Sequence, residues 1–296
     1  MRWQDLRASS NIGSGGGGGG LGGLALGGGG LGLVAVAVIA MLFGVDPRVV
    51  MQGAQVAQGA GGRGGQVQQQ GCQAQDQACQ FTQRILGSTE DVWTAEFARR
   101  GAEYQPTTLI YFDGATGTAC GTGQEAMGPF YCPADRRVYI DYSFYEDLGT
   151  RFGAAGDFAN AYVVAHEVGH HIQNLTGAAQ QVAQVRQRGN ERQANQASVR
   201  LELQADCYAG VWANRANEQN IQQNGVALLE PGEEREALRA ASAIGDDRLQ
   251  KQAQGRVAPD SFTHGTSDQR VRWFSAGFQS GSMDTCDTFS RPYAQL

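Results

Sequence analysis

A glycine-dominated stretch and an apolar run separate the first residues of this chain from the remainder. Residues 15–30 read GGGGGGLGGLALGGGG, and residues 31–45, LGLVAVAVIAMLFGV, carry no charge. A membrane-spanning helix needs about 20 mainly apolar residues, so residues 21–45 are long enough to cross a bilayer. Arg2 and Arg7 precede the run and only Asp5 opposes them, and this excess of positive charge predicts a cytoplasmic N-terminus.

The sequence therefore predicts a cytoplasmic tail over residues 1–20 and a single transmembrane signal anchor over residues 21–45. A cleaved signal peptide and a buried core helix are the alternatives, although no clear small-x-small cleavage pattern follows the run. Residues 46–70 are rich in Gly, Gln and Ala and poor in large apolar side chains, which predicts a flexible linker. Residues 71–296 are then the folded domain, on the far side of the membrane from the cytoplasm.

All cysteines of the chain lie beyond the apolar run. An even number confined to the predicted outer portion favours disulfide bonds in an oxidising compartment, with buried free thiols as the alternative. Proximity in sequence favours pairing the first with the second and the third with the fourth, which leaves the last two to join the C-terminal tail to the core. The six residues are Cys72, Cys79, Cys120, Cys132, Cys207 and Cys286.

The pattern beyond residue 71 predicts an α+β fold, with a small N-terminal sheet and a mainly helical C-terminal part. STEDVWTAEFARRG predicts a helix that Ser88 caps. Strands are predicted where β-branched and aromatic residues concentrate, at 107–112 and 136–145. Helical periodicity predicts helices over 157–175 and 191–217, another after Pro231 that breaks near Gly245, and a last one over SDQRVRWFSAGFQSG.

One predicted helix carries three of the four histidines, in VVAHEVGHHIQ (163–173). Successive helical residues rotate by about 100°, so His166 and His170 lie one turn apart and can reach one ion. Glu167 projects beside them. This is the H-E-x-x-H pattern, in which two histidines bind zinc and the glutamate is a general base. His171 is rotated about 140° from His166 and is predicted to be an ordinary polar position.

A catalytic zinc usually has a third protein ligand, and the sequence offers a carboxylate for it. In VRLELQADCYAGVWA, Glu202 and Asp206 lie four residues apart on a mostly apolar helix, where acids are costly unless paired or bound to metal. We expect Glu202 to be the third ligand and Asp206 to accept a hydrogen bond from His166. The alternative is that both acids form structural ion pairs.

The fourth histidine, His264, lies in a Gly/Ser/Thr-rich turn. Hydrolysis through a tetrahedral intermediate needs a hydrogen-bond donor for the developing oxyanion, and His264 is the candidate, with Arg270 orienting an acid or the loop. A surface histidine without a function is the alternative. Tyr139 and Tyr142 are lesser candidates, and their strand, 136–145, is predicted to hold an extended peptide at a sheet edge.

Several segments together resemble the neutral zinc metallopeptidase family of bacteria. They are MRWQ, AHEVGHHIQ, LELQADCYAGVWA, AIGDDRLQKQAQGRV, SFTHGTSDQRVRWF and CDTF. The resemblance implies a zincin-like metallopeptidase domain with one Zn²⁺ per chain, and its E-L-Q-A-D element is similar to the E-x-x-x-D helix of the gluzincin clan. That similarity implies Glu202 as ligand and Asp206 behind it. The glycine-expanded stretch at 13–30 departs from the more charged segment expected there.

Two functions from different classes, and a third variant, fit these observations. The first is an extracytoplasmic zinc endopeptidase, anchored in the bacterial cell membrane by its N-terminal helix and acting on a peptide or protein. The second is a non-catalytic envelope protein that keeps a zincin scaffold for binding a partner. The third is a zinc hydrolase of a non-peptide amide. The formal net charge of −6 argues against nucleic-acid binding.

Overall fold

A computed structural model describes residues 1–15, 72, 76–124, 128–141 and 143–296. The chain divides into two compact units. The large unit comprises Met1–Asn11, Cys72–Thr107 and Tyr145–Leu296, and the small unit takes its described residues from Ile12–Gly71 and Thr108–Phe144. The mixed α+β architecture predicted from the sequence is present: small sheets and a majority of helix.

Helices make up most of the large unit. Eight α-helices lie among the described residues: α1 (Gln77–Arg99), α2 (Phe144–Thr150), α3 (Asp157–Thr176), α4 (Ala178–Arg188), α5 (Glu191–Asn224), α6 (Glu234–Ala243), α7 (Asp246–Gln254) and α8 (Ser267–Ser280). The long helix α5 packs against α3 and α8, and fully buried apolar side chains fill the space between the helices. Helices α3 and α5 contain the two sequence motifs, so this packing brings them together.

Helix α1 begins twelve residues earlier than the capping pattern predicted. Asp76 is its N-cap and accepts a hydrogen bond from the Cys79 amide at 2.9 Å. Ser88 is buried within the helix, where its hydroxyl accepts a hydrogen bond from Trp212 Nε1. The prediction that Ser88 caps the helix was wrong, because a serine followed by acids looks like a helix start when tertiary contacts are unknown.

Two sheets form the small unit. The larger has the strand order β1 (Ile12–Ser14), β2 (Thr108–Phe112), β6 (Arg137–Asp141), β5 (Phe130–Cys132), and the smaller pairs β3 (Ala115–Thr118) with β4 (Gly121–Gln124). Strand β6 runs parallel to β2 and antiparallel to β5. It is therefore not an edge strand, and the expectation that 136–145 pairs with an extended substrate is wrong.

Tyr139 and Tyr142 were the lesser candidates for the oxyanion donor, and the structure describes only Tyr139. The Tyr139 hydroxyl donates to Asp135 Oδ2 at 2.8 Å, and its ring stacks on Phe130. These contacts give it a structural role within the small unit. Tyr142 lies outside the described residues.

Three disulfide bonds join the cysteines in the pairs that proximity favoured. Cys72–Cys79 and Cys207–Cys286 lie in the large unit, and Cys120–Cys132 lies in the small unit. The Cys207–Cys286 bond spans 79 positions of sequence and joins α5 to the C-terminal segment. The tail is therefore cross-linked to the helix that carries Glu202.

Within the described part of the chain, no helix is long and apolar enough to cross a bilayer. The predicted anchor, residues 21–45, and the predicted linker, residues 46–70, lie outside the described residues. Both remain predictions.

Helices α5 and α8 touch backbone to backbone at two glycines. A Cβ on Gly210 would lie 2.1 Å from the Phe274 carbonyl oxygen, and a Cβ on Gly277 would lie 2.0 Å from the Cys207 carbonyl oxygen. No side chain fits between the helices at these points. Hence Arg270, one turn before Phe274 on α8, is held close to α5.

We expect Gly210→Ala to destabilise the protein by about 1–3 kcal/mol or more, because its methyl group must push two helix backbones apart. The measurement is the free energy of unfolding from urea titrations. Gly149→Ala is the matched control, since a Cβ there meets Ala155 at an ordinary 3.5 Å. An unchanged stability in Gly210→Ala would contradict the close helix contact.

Candidate metal centre

The H-E-x-x-H motif lies in the middle of α3. This helix ends where Gly177 takes a left-handed conformation, with φ 91°. The imidazole rings of His166 and His170 are perpendicular, with an interplanar angle of 88°, and their centroids lie 4.8 Å apart. The helical geometry predicted for the pair is therefore present, with both rings on one face of α3.

Glu202, on α5, lies opposite the two imidazoles. Its Oε2 is 3.2 Å from His166 Nε2, and its Oε1 is 3.5 Å from His170 Nε2. One donor atom from each residue falls within 4.8 Å of the other two. Ligands at zinc distances of about 2.0–2.1 Å in a tetrahedron lie roughly 3.3 Å apart, so these three donors fit one zinc ion.

Close packing of α3 on α5 brings the carboxylate to the histidines. A Cβ on Gly169 would lie 3.1 Å from the Ala205 carbonyl oxygen and 3.3 Å from the Ala205 Cβ. Asp206 was predicted to accept a hydrogen bond from His166, and His166 Nδ1 lies 2.9 Å from Asp206 Oδ1. Because the ionised carboxylate only accepts, Nδ1 carries the proton and Nε2 is free to bind a metal.

Asp206 is itself fixed by a buried network. Arg270, on α8, donates to it through Nε at 2.8 Å and through a terminal nitrogen at 2.9 Å. The Tyr162 hydroxyl donates to the same carboxylate. Arg270 thus orients an acid, as the sequence analysis suggested. The hydrogen bond from Tyr162 to Asp206 was not predicted. A single tyrosine one turn before His166 carries no sequence pattern that would indicate such a contact.

His170 has a different partner. Its Nδ1 donates to Gln173 Oε1 at 2.9 Å, and the Gln173 amide nitrogen donates to the Leu201 carbonyl oxygen at 2.6 Å and to Gln204 Oε1 at 3.2 Å. The buried amide therefore sets the rotation of the His170 ring. Gln173 was not predicted as a site residue, although a polar residue one turn beyond a metal-binding histidine is a usable sequence signal.

The remaining residues of the motif lie elsewhere. His171 is buried away from the cluster, where its Nε2 donates to the Gln105 carbonyl oxygen at 2.6 Å and its ring packs edge-on to Tyr104. Its exclusion from the metal-binding set is consistent with that position. Glu167 is 7% exposed. Its charge lies close enough to His170 to contribute to raising the pKa of that imidazole.

His264 lies in the turn before α8, and the turn is held by two neighbouring acids at the start of α7. Asp246 Oδ2 accepts from three successive amides, those of Thr263, His264 and Gly265, at 2.6–3.0 Å. Asp247 accepts from the amide and the hydroxyl of Ser267. Burial would lower the pKa of His264, but the Asp246 carboxylate, whose Oδ1 is 3.2 Å from His264 Nδ1, raises it.

Asp246 was missed by the sequence reasoning. Adjacent acids at a helix start are common because they interact favourably with the helix dipole, so the pair gave no functional signal. His264 faces the metal-binding cluster closely enough that its charge contributes to lowering the pKa of Glu202.

The charges of the cluster depend on one another. Burial would raise the pKa of Glu202, but His170 and His166 outweigh it and hold that pKa well below its usual range. Burial likewise opposes the charged form of His166, yet Asp206 raises the pKa of His166 to about 9. The same reasoning applies to Asp206, whose pKa falls to about 2 because Arg270 and His166 outweigh its burial.

This arrangement defines a class of site: an H-E-x-x-H helix and a carboxylate from a second helix, supported by an aspartate four residues further on. The chain belongs to the neutral zinc metallopeptidase family, because the family model described as "Putative neutral zinc metallopeptidase" matches residues 1–289. The resemblance seen in the sequence segments is thereby confirmed, and the family points to zinc and to peptidase chemistry.

Two relatives show how far the similarity extends. "Uncharacterized protein YpfJ" of Escherichia coli K12 is 49% identical over 302 residues, covering 98% of this chain and 99% of the relative. "Uncharacterized protein Rv2575" of Mycobacterium tuberculosis is 47% identical over 194 residues, covering 63% of this chain and 64% of the relative. No solved structure matches the chain.

We expect Arg270→Met to destabilise the protein by about 3–5 kcal/mol, because it leaves the Asp206 carboxylate buried without its cation. Urea unfolding at pH 7 measures the loss. Arg239→Met, at an exposed position of α6, is the control and should change stability by less than about 0.5 kcal/mol. Combining Asp206→Asn with Arg270→Met should recover part of the loss, and no recovery would contradict this explanation.

Zinc affinity should rise with pH up to about pH 9. A histidine binds metal only in its deprotonated form, and the pKa of His166 is about 9, so zinc must displace a proton at lower pH. Each displaced proton weakens apparent affinity about tenfold per pH unit below that pKa. Competition titrations with a zinc chelator between pH 6 and 9 measure this slope, and a flat profile would contradict it.

Proposed function

We propose that this protein is a zinc-dependent peptidase whose metal is held by His166, His170 and Glu202. The observation that carries the proposal is the cluster of three donors, in which the two Glu202 oxygens lie 3.2 and 3.5 Å from the Nε2 atoms of His166 and His170. Three protein ligands would leave a fourth zinc position for water or substrate. Two neutral imidazoles and one carboxylate are a donor set typical of catalytic zinc in peptidases. One such cluster is present among the described residues, which supports one zinc ion per chain.

Bound zinc would polarise a substrate carbonyl and lower the pKa of its water ligand towards neutrality. Glu167 acts as the general base. Its carboxylate takes a proton from the attacking water and delivers it to the leaving amine nitrogen. Its position in the motif, directly after His166 on α3, supports this role.

His264 is the donor for the oxyanion that develops on the substrate carbonyl. Asp246 keeps the proton on Nδ1 and favours the charged imidazolium, so Nε2–H also remains available as a donor. The clamp of Asp246 on the backbone of the turn holds the ring in place. A fixed donor of this kind stabilises a transition state without reorganisation during the reaction.

A peptide or protein is the substrate class that this chemistry and the family favour. We further propose that the enzyme is an endopeptidase and works in an oxidising, extracytoplasmic compartment, which the three disulfide bonds support. Single-pass anchoring in the cell membrane, with residues 1–20 cytoplasmic, stays a prediction from sequence. A zinc scaffold without catalysis and a hydrolase of non-peptide amides are the competing functions.

Variants of the motif separate catalysis from metal binding. The purified protein should hold about one zinc per chain, and His166→Ala and Glu202→Ala should each release it because three ligands become two. Glu167→Gln should retain zinc and reduce hydrolysis of a peptide library at least about a hundredfold, as expected for loss of a general base. Metal content by mass spectrometry and product formation by liquid chromatography are the two measurements.

Each alternative gives a distinct result. Zinc retained in Glu202→Ala would show that the third ligand is another residue. Zinc binding with no cleavage of any peptide by the wild-type protein would favour the non-catalytic scaffold. Cleavage of amide-containing cell-wall fragments in preference to peptides would favour the third function.

A further inference from the structure

Residues 1–11, which precede the glycine-rich stretch, are built into the large unit. Glu90, on α1, is 6% exposed and receives three donors. Arg7 donates to its Oε2 at 2.7 Å, while the Ser9 hydroxyl and the Asn11 amide donate to its Oε1 at 2.6 and 2.7 Å. In the described part of the chain, every hydrogen-bond donor to this carboxylate comes from the N-terminal segment.

The backbone of the segment is bound as well. Ser9 and Gln83 exchange two hydrogen bonds, from the Ser9 amide at 3.0 Å and from the Gln83 side chain at 2.7 Å. Arg84 donates to the Gln4 carbonyl oxygen at 2.9 Å and also to that of Leu6. The main-chain groups of Gln4, Leu6 and Ser9 are thus all hydrogen-bonded to α1. These bonds fix the segment in a single register on the helix.

Shape complementarity supports the same contact. A Cβ on Gly87 would lie 2.1 Å from the Arg7 carbonyl oxygen, so only glycine allows the segment to lie this close to the helix. Near the start of the segment, the Arg2 amide donates to the Leu228 carbonyl oxygen at 2.9 Å, and the ring of Trp3 packs edge-on against Phe81. The contact therefore extends along most of the segment.

Removing the segment would be costly. Glu90 would lose all three of its donors, and the contacts of the segment along α1 would be lost with them. In the small unit, the next three residues form β1 and pair in parallel with β2, Ile12 opposite Leu109. The chain thus uses residues 1–14 as structural parts of both units.

We infer that residues 1–14 and the peptidase domain occupy the same side of any membrane that the protein meets. Docking needs both partners in one aqueous compartment. A single crossing that puts residues 1–20 in the cytoplasm and residues 71–296 outside cannot coexist with this docking. The inference concerns topology and does not rest on the proposed peptidase activity.

The first test compares two single cysteines added to the full chain in intact cells. Ser10→Cys reports on the exposed N-terminal segment, and Gln222→Cys reports on the exposed end of α5. The native cysteines are paired in disulfides, so the unsubstituted chain measures the background. A membrane-impermeant maleimide should label both reporters before lysis or neither of them, and opposite labelling would overturn the inference.

A second measurement tests the docking itself on the purified full-length protein. Hydrogen–deuterium exchange within residues 1–11 should be at least about tenfold slower than in an unstructured peptide, since opening of packed structure limits it. Gly87→Ala should abolish that protection. Gly117→Ala, where a Cβ meets nothing within 4 Å, should preserve it. Unprotected exchange in the wild-type protein would overturn the inference, whatever the zinc content or the activity.

Discussion

The buried carboxylate of Asp206 is the point on which the metal centre and the helical packing both depend. A carboxylate without exposure is tolerated only when ionic and hydrogen-bonding partners surround it. Its partners come from α3 and α8, so α5 can occupy only the position that satisfies all of them. The same hydrogen bond that satisfies Asp206 turns the His166 ring so that Nε2 faces Glu202. Stability and ligand orientation therefore have one physical origin.

Asp246 plays a comparable part with different partners. Asp206 is neutralised mainly by a guanidinium, which fixes packed helices, whereas Asp246 collects three backbone amides and one imidazole, which fix a turn. Backbone amides suit that task because a turn between helices has donors without helical partners. Each acid thus holds one histidine through Nδ1. Asp206 and Asp246 therefore orient His166 and His264 through their Nδ1 atoms, while Glu202 lies between His166 and His170.

Local periodicity explains which parts of the site could be predicted from the sequence. His166, His170, Glu202 and Asp206 are related by helical spacing within two segments, and spacing alone places each pair on one helix face. Tyr162, Gln173 and Asp246 act through contacts with other elements, which no local pattern encodes. The same limit explains two errors in the fold: Ser88 is buried within α1 against Trp212 from α5, and the strand predicted at 136–145 is the shorter β6, which lies between β2 and β5. Docking of residues 1–11 joins positions about eighty residues apart and left no local signal either.

The basic residues near the N-terminus show how the structure changes the meaning of a sequence signal. The positive-inside rule treats Arg7 as a free charge that stays in the cytoplasm. In the structure its guanidinium is engaged by Glu90 and by Asp91, at 2.7 and 2.9 Å, and burial of Glu90 depends on it. A charge that a folded domain binds no longer acts as an independent topological signal. If the two disulfides of the large unit place it in an oxidising compartment, the ion pair places Arg7 there too, and the apolar run must then be explained without a cytoplasmic N-terminus.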